Sequence, residues 1–272
     1  MPLVFGAIAP HGSIAIAEWC SPDEVELAAK TRAGFAELAR RFDAARPDAT
    51  VLVTPHHVHV EGHMAVVTSG AMHGVLEGGA TRVEMRAKVD RELAAAIGGA
   101  VAAAGIPIVA ISYGANDPAA SVMPMDWATG IPIHFMGGAE VPVVMLAPAR
   151  DLPWDAHVAL GRAIAAVADS SPRRIALIAS CDHGHAHDPQ GPYGYSPASK
   201  LFDDRVVQLV RRNALGELLS FEPSFVSEAK ADSFWQMLVL HGAIGDRWRP
   251  ELFSYEAPTY FGMLCAAFTP PG

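Results

Sequence analysis

The chain has 272 residues, and its 51% hydrophobic content is enough for a substantial buried core in one large domain or two small ones. Only 18% of the residues are charged, acids outnumber bases 29 to 20, and no Lys/Arg-rich run occurs, which argues against a nucleic-acid-binding protein. The N-terminal sequence has no basic segment, and no apolar run reaches the roughly 18 residues of a membrane span. We therefore expect no signal peptide, no membrane association and a cytoplasmic location.

The first half of the chain predicts, in order, a strand over 3–9, a helix from about 22 to 45, a strand over 50–54, a hairpin partner over 64–69 and a helix from about 83 to 104. The first helix is well marked, because Ser21, Pro22 and Glu24 match an N-cap serine, an N1 proline and a capping-box glutamate. Both early strands run directly into proline and histidine, which places His11 and His56 at strand ends.

The second half predicts strands over 106–112, 131–135, 141–147 and 175–180, and helices over about 154–170 and 198–213. Strands that alternate with helices predict an α/β fold, a single-domain sandwich over residues 1–272 whose central sheet, mostly parallel or mixed, is covered by helices on both faces. In such sheets the ligand site lies beyond the strand ends, where the loops converge. The 188–197 stretch, rich in Gly, Pro and Tyr, is predicted to be a long functional loop.

The histidines are the most informative residues of the sequence. Nine of the twelve fall into short stretches close to predicted strands, at His11, His56, His57, His59, His63, His134, His183, His185 and His187. Imidazole and carboxylate together are the ligand set of Fe(II), Zn(II) and Mn(II). Because adjacent residues of an extended chain point to opposite sides, only one of His56 and His57 can be a ligand at one site. Two histidines with one carboxylate would leave open metal positions, as in non-heme Fe(II) oxygenases.

Other common catalytic motifs are absent. The sequence has no phosphate loop, no dinucleotide-binding GxGxxG at the start of a helix, no GxSxG elbow and no HExxH. The three cysteines are widely separated and form neither a disulfide framework nor a zinc knuckle.

Six stretches spread over nearly the whole chain resemble the class III extradiol ring-cleavage dioxygenases, the LigB-like superfamily that includes protocatechuate and homoprotocatechuate dioxygenases. They are APHG, PDATVLVTPHH, ASCDHGHA, GYSPASKLFD, EAKADSFWQMLVLHGAIG and YEAPTYFGMLCAAF. One departure concerns the 126–132 loop, where Trp127 stands in place of a histidine that often occurs in the family.

The resemblance implies a role for each of several residues. It makes His11, His56 and Glu228 the iron ligands, with His57 as the alternative to His56, and with Asp232 and Glu256 as alternatives to Glu228. The catalytic acid/base would be His185, with His183 as the alternative. Substrate-binding roles are expected for His57, His134 and Tyr193.

The function implied is an Fe(II)-dependent extradiol dioxygenase that uses O2 to cleave a catechol or ortho-aminophenol to a ring-opened semialdehyde. The same resemblance implies a homo-oligomer and, as in some relatives, a small partner subunit. Two other functions stay open: a non-catalytic metal-binding protein similar to the Memo branch of the superfamily, and a Zn(II)-dependent hydrolase that uses the same ligands.

Overall fold

The computed structural model describes residues 3–22, 24–78 and 81–271. The strands are β1 (Leu3–Ala9), β2 (Ala49–Val53), β3 (Met64–Val67), β4 (Ala71–Gly78), β5 (Thr81–Lys88), β6 (Ile108–Ile111), β7 (Val122–Pro124), β8 (Val143–Ala147), β9 (Ile175–Ser180), β10 (Arg249–Glu256) and β11 (Met263–Thr269). The α-helices are α1 (Ala29–Ala45), α2 (Arg91–Ala103), α3 (Trp127–Phe135), α4 (Trp154–Ser170), α5 (Pro197–Arg212), α6 (Pro223–Glu228) and α7 (Phe234–Ile244).

The central sheet is mixed, with the order β10-β11-β1-β9-β2-β8-β3-β6. Its four middle strands, β1, β9, β2 and β8, are parallel, so their carboxyl ends meet at one edge. Strand β11 is antiparallel to β1 and begins at this same edge. Every residue of β2, β8 and β9 is buried, as expected for strands covered on both faces.

Alternate residues of the strands face two separate cores. Val51 and Val53 pack on the side of α2, α4, α5 and α7, whereas Leu52 packs with α1, α3 and the small sheet β5-β4-β7. The predicted α/β fold with helices on both faces of a central sheet is therefore confirmed. Within the described residues, no helix combines the length and apolar character needed to cross a bilayer.

The helices α4 and α7 approach closely because glycines face each other. A Cβ added at Gly161 would lie 2.0 Å from the Val239 carbonyl oxygen, and one added at Gly242 would lie 2.0 Å from the Val158 carbonyl oxygen. Any side chain at either position would push the two helices apart. This contact fixes α7, whose N-terminal end lies next to the carboxyl edge of the sheet.

The predicted helix over 154–170 is confirmed, and so are the strands over 3–9 and 175–180. The helix predicted from 22 begins only at Ala29, although Ser21 donates its backbone N–H to the Glu24 carboxylate as in a capping box. Residue 23 lies outside the described residues. Strand β3 does not form the expected hairpin with β2, because it pairs with β8 and β6.

Two predicted elements were wrong. The first part of the helix predicted over 83–104 is strand β5. Its buried residues Met85 and Ala87 alternate with the exposed Glu84, Arg86 and Lys88, a period of two. The strand predicted over 131–135 belongs to α3, which Asp126 caps by accepting a hydrogen bond from the Thr129 N–H at 2.8 Å.

Candidate metal centre

Side chains from three distant parts of the chain meet at the carboxyl edge of the central sheet. His11 follows β1, His56 follows β2, and Asp232 lies in the turn between α6 and α7. A proline stands shortly after each of these strands, and its missing N–H ends the ladder of hydrogen bonds. The chain therefore leaves the sheet where the histidines are placed.

The three side chains direct one donor atom each toward a common point. Asp232 Oδ2 lies 3.3 Å from His11 Nε2 and 3.4 Å from His56 Nε2. All three donor atoms lie within 4.8 Å of one another. His11 is only 1% exposed and Asp232 7%, whereas the side chain of His56 is 34% exposed. The group is therefore open to solvent on the His56 side.

The orientation of His11 depends on a proline in α3. Pro132 has no N–H to donate to the Ala128 carbonyl, which instead accepts a hydrogen bond from Ser180 Oγ at 2.6 Å. Since Ser180 has donated its only hydrogen, its oxygen must accept from His11 Nδ1, at 3.0 Å. His11 Nε2 then carries the lone pair that faces Asp232 and His56.

Three neighbouring side chains hold Asp232 in its ionised form. Burial alone would raise the pKa of Asp232, but His11, His56 and Arg150 together hold that pKa well below its usual range. Arg150 donates a hydrogen bond to Asp232 Oδ1, and its guanidinium lies 4.7 Å from the ring centre of Trp235. Burial would lower the pKa of His11, but Asp182 and Asp232 outweigh it and raise the pKa.

The way α6 ends leaves Glu228, the expected carboxylate, outside the group formed by His11, His56 and Asp232. The Ala231 N–H binds the Val226 carbonyl and the Lys230 N–H binds the Ser227 carbonyl, which is the hydrogen-bond pattern of a Schellman motif. Lys230 takes the left-handed conformation of this motif, with φ 51°. The turn leaves Glu228 exposed on the last turn of α6 and brings Asp232, the alternative, to the histidines.

The two histidines considered as acid/base lie in different surroundings. His185 lines the same cavity as His56 and Asp232. Its Nδ1 lies 2.6 Å from the His183 carbonyl oxygen, which can only accept a hydrogen bond. His185 Nδ1 therefore carries the proton and Nε2 the lone pair. His183 is completely buried, its Nδ1 lies 2.8 Å from Ser233 Oγ, and burial lowers its pKa.

The remaining predicted site residues are placed as follows. Tyr193 lines the cavity with its ring 6.0 Å from that of His185. His57 has a left-handed backbone, and its Nε2 lies 2.6 Å from the Pro124 carbonyl oxygen, away from the three donor atoms. His134, the third residue with an expected substrate role, is exposed on α3 and does not line the cavity. Glu256 instead accepts hydrogen bonds from Thr31, at 2.7 and 2.8 Å.

A cavity of about 720 Å³ opens in front of His56 and Asp232. Apolar and aromatic side chains share its walls with polar and charged ones. They comprise Pro55, His56, Arg150, Trp154, His185, Tyr193, Pro223, Val226, Ser227, Lys230, Ala231, Asp232 and Trp235. Such a volume and lining suit a small aromatic molecule.

The donor set fits a divalent metal ion. Asp232 Oδ2 is buried and accepts no hydrogen bond, although it lies between two imidazole nitrogens. Ligand atoms about 2.1 Å from one ion and at right angles lie about 3 Å apart, close to the two separations seen here. An ion at this point would satisfy the unpaired carboxylate oxygen and both imidazole lone pairs.

Sequence reasoning missed Arg150, Ser180 and Asp182. Asp182 accepts a hydrogen bond from the His11 backbone N–H at 3.0 Å. Arg150 could have been found, because β8 runs into Pro148 just as the two strands before the histidines run into proline. Ser180 gave no signal, since its role depends on a carbonyl that only the folded helix α3 brings near.

The fold and the site define an α/β protein with a candidate non-heme metal centre of two histidines and one carboxylate. The chain belongs to the family described as the catalytic LigB subunit of aromatic ring-opening dioxygenase, which matches residues 6–267.

Two other proteins are similar to this chain. Protein CA_C1420 of Clostridium acetobutylicum is 23% identical over 251 residues, which cover 91% of this chain and 53% of that protein. The chain thus spans about half the length of this curated relative. The crystal structure of the uncharacterized protein JW3007 from Escherichia coli K12 has a TM-score of 0.63 at 18% identity, covering 97% of this chain and 99% of the other. This second likeness shows a shared fold.

Proposed function

We propose that this protein is an Fe(II)-dependent extradiol dioxygenase that cleaves a catechol or an ortho-aminophenol with O2 to a ring-opened semialdehyde. The observation that carries the proposal is the buried, unpaired Oδ2 of Asp232 between His11 Nε2 and His56 Nε2. Two histidines and one carboxylate are the donor set of non-heme Fe(II) oxygenases. Membership of the ring-opening dioxygenase family supports the same reading.

The protein's own contribution begins with the metal ligands. Ser180 holds the ring of His11 so that Nε2 presents its lone pair, and Arg150 holds Asp232 ionised. Fe(II) bound by these residues would supply open coordination positions and the redox chemistry of ring cleavage.

In this proposal, His185 would move the substrate proton. Its Nδ1–H donates to the His183 carbonyl, so Nε2 is free to accept a proton from a substrate hydroxyl in the cavity. The ring is held by stacking on Phe261, with centroids 5.4 Å apart. Its backbone N–H donates to the Ala229 carbonyl at 3.0 Å, which ties His185 to the end of α6. The same Nε2 could later return the proton.

The cavity walls are suited to hold an aromatic ring beside these groups. Trp154, Trp235 and Tyr193 contribute flat aromatic surface to the cavity wall. They would orient the ring toward Asp232 and His185 and exclude water from it. We further propose that residues 1–272 form one catalytic domain and that the protein is cytoplasmic. It would form a homo-oligomer, with or without a small partner subunit.

The test is to load the protein anaerobically with Fe(II), add oxygen with a panel of catechols and ortho-aminophenols, and record O2 uptake and the yellow product. We expect oxygen uptake in step with product formation. The His185→Gln variant should bind Fe(II) normally and lose about 10²- to 10⁴-fold in kcat, the usual contribution of a general acid/base.

The matched control is His63→Gln, because the His63 side chain is exposed and, among the described residues, hydrogen-bonds only to the Glu61 carbonyl. This variant should turn over like the wild type. No oxygen uptake by protein that holds one Fe(II) per chain would overturn the proposal. Hydrolysis of esters or amides by the Zn(II)-loaded protein would instead favour the alternative function, a Zn(II)-dependent hydrolase that uses the same ligands.

A further inference from the structure

Asp203 is a carboxylate that is completely buried behind the loop that carries His185. It lies on α5, it is 0% exposed, and it is not among the residues that line the cavity. Removing a carboxylate from water is costly unless hydrogen bonds replace the lost water. Apolar side chains of similar volume often stabilise a fold as well or better. Packing alone therefore does not account for an aspartate at this position.

Both oxygens of Asp203 are held by hydrogen bonds. Oδ1 accepts from the Gly184 N–H at 2.8 Å. Oδ2 accepts from the Tyr255 hydroxyl at 2.7 Å and lies 2.8 Å from His187 Nε2. Burial and the Asp203 carboxylate raise the pKa of Tyr255, so the hydroxyl keeps the hydrogen that it donates. Gly262 leaves room for this carboxylate, since a Cβ there would lie 2.0 Å from Oδ2.

The peptide group between His183 and Gly184 links Asp203 to the candidate acid/base. Its N–H donates to Asp203, and its carbonyl accepts from His185 Nδ1 at 2.6 Å. Because a peptide group is planar, fixing its N–H also fixes the direction of its carbonyl. Each hydrogen bond in such a chain strengthens the next, so the carboxylate makes this carbonyl a better acceptor. The same carbonyl accepts from the Asp232 N–H, at 3.4 Å.

We propose that Asp203 is a positioning residue for His185. Through the peptide group of Gly184, it holds the His185 ring with the proton on Nδ1 and the lone pair on Nε2. The kinetic consequence rests on the proposed function, in which Nε2 accepts the substrate proton. The orientation of the ring does not rest on it, and it can be measured without metal, oxygen or substrate.

The first measurement is the tautomer of His185 in the metal-free protein, read from the ¹⁵N shifts of the two ring nitrogens and assigned with His185→Gln. At about pH 8 an ordinary imidazole is neutral, so one nitrogen carries the proton. We expect the wild type to carry it on Nδ1. Asp203→Ala leaves the Gly184 N–H without its acceptor. We expect this variant to shift a substantial fraction of His185 to the Nε2–H tautomer.

Two further variants separate the Gly184 hydrogen bond from stability. Asp203→Asn should keep the Nδ1–H tautomer, because its amide oxygen can take the place of Oδ1 while the Tyr255 hydroxyl turns to accept from the amide. Tyr255→Phe removes a hydrogen bond to Oδ2 and leaves Oδ1 in place. It should lower the melting temperature and keep the tautomer.

The matched control is Asp204→Ala, the same substitution at the next residue. Asp204 forms an ion pair with Lys200 on the surface of α5, and its side chain is 45% exposed. This variant should keep both the tautomer and the activity.

Turnover is measured with Fe(II), oxygen and a catechol. Asp203→Ala should lower kcat about tenfold, as for the loss of one hydrogen bond to a charged group. KM should change less than about twofold, since Asp203 does not line the cavity. Asp203→Asn should restore most of kcat, which a role in charge or packing alone would not predict.

The Nε2–H tautomer in the wild type would overturn the inference without any variant. An unchanged tautomer in folded Asp203→Ala, or an equal shift in Asp203→Asn, would also overturn it. The proposed function fails separately. If no catechol supports oxygen uptake while Asp203→Ala shifts the tautomer, the positioning role stands and ring cleavage does not.

Discussion

Replacing Asp232 by asparagine should abolish tight metal binding, whereas replacing Glu228 by glutamine should not. Each substitution removes one negative charge and keeps the size of the side chain. Asp232 Oδ2 lies within 3.4 Å of both imidazole nitrogens, and Glu228 is exposed outside this group. The pair of variants therefore compares the carboxylate that lies beside the two histidines with the one that the sequence suggested.

The size of the expected loss in metal affinity follows from the ligand atom that Asp232 would supply. Loss of a group that only orients a ligand costs about 10- to 100-fold in metal affinity. Asp232 would itself be a ligand, so we expect a loss of at least about 100-fold, or about 3 kcal/mol of binding free energy. In the asparagine variant the guanidinium of Arg150 would also lose its counter-charge and repel the cation. For Glu228→Gln we expect less than about a twofold change, as for an exposed charge without a partner.

The assay is an anaerobic competition for Fe(II) between the protein and a coloured chelator at constant pH and salt. Thermal unfolding of each metal-free variant shows whether the fold is intact. A folded Asp232→Asn protein that binds Fe(II) as tightly as the wild type would refute the site. A large loss of Fe(II) affinity in Glu228→Gln would instead make Glu228 the carboxylate ligand, as the sequence suggested.

Two further predictions concern buried hydrogen bonds and pH. Ser180→Ala should weaken Fe(II) binding about 10- to 100-fold in the same competition, because His11 loses the acceptor that fixes its ring; unchanged affinity would contradict this. Burial lowers the pKa of His157 in the folded protein. As the pH is lowered through about 6.5, the unfolded state takes up this proton before the folded state does, so the free energy of unfolding should decrease as the pH decreases. Denaturation at about pH 7.5 and 5.5 should show a smaller fall in His157→Gln, and an unchanged fall would refute the assignment.

Much of the site was predictable from the sequence because parallel strands bring their ends together. The apolar runs before His11 and His56 were long enough to be recognised as strands, and the proline after each run showed where it ends. The short helix α3 was harder to predict from the sequence. The apolar 131–135 stretch favours a strand by composition, but the Asp126 cap and packing within the core make it helical.

The carboxylate could not be chosen from spacing alone. Glu228 and Asp232 would share one face of a continuous helix, which is the pattern that the sequence suggests. The chain turns between them at Lys230, a residue type that rarely takes this conformation, so no glycine announced the turn. The role of Ser180 likewise depended on Pro132, which looked like part of a strand and proved to free a helix carbonyl.

The scattered origin of the three donor atoms has a thermodynamic consequence. His11, His56 and Asp232 come from three distant segments, and they meet only after β1 and β2 have joined through β9 and α7 has docked. The unfolded chain therefore holds no preformed chelate. An ion bound there selects the fully assembled protein and stabilises it by an amount that grows with the logarithm of the free metal concentration. The resistance of this chain to unfolding would thus become a measure of metal supply.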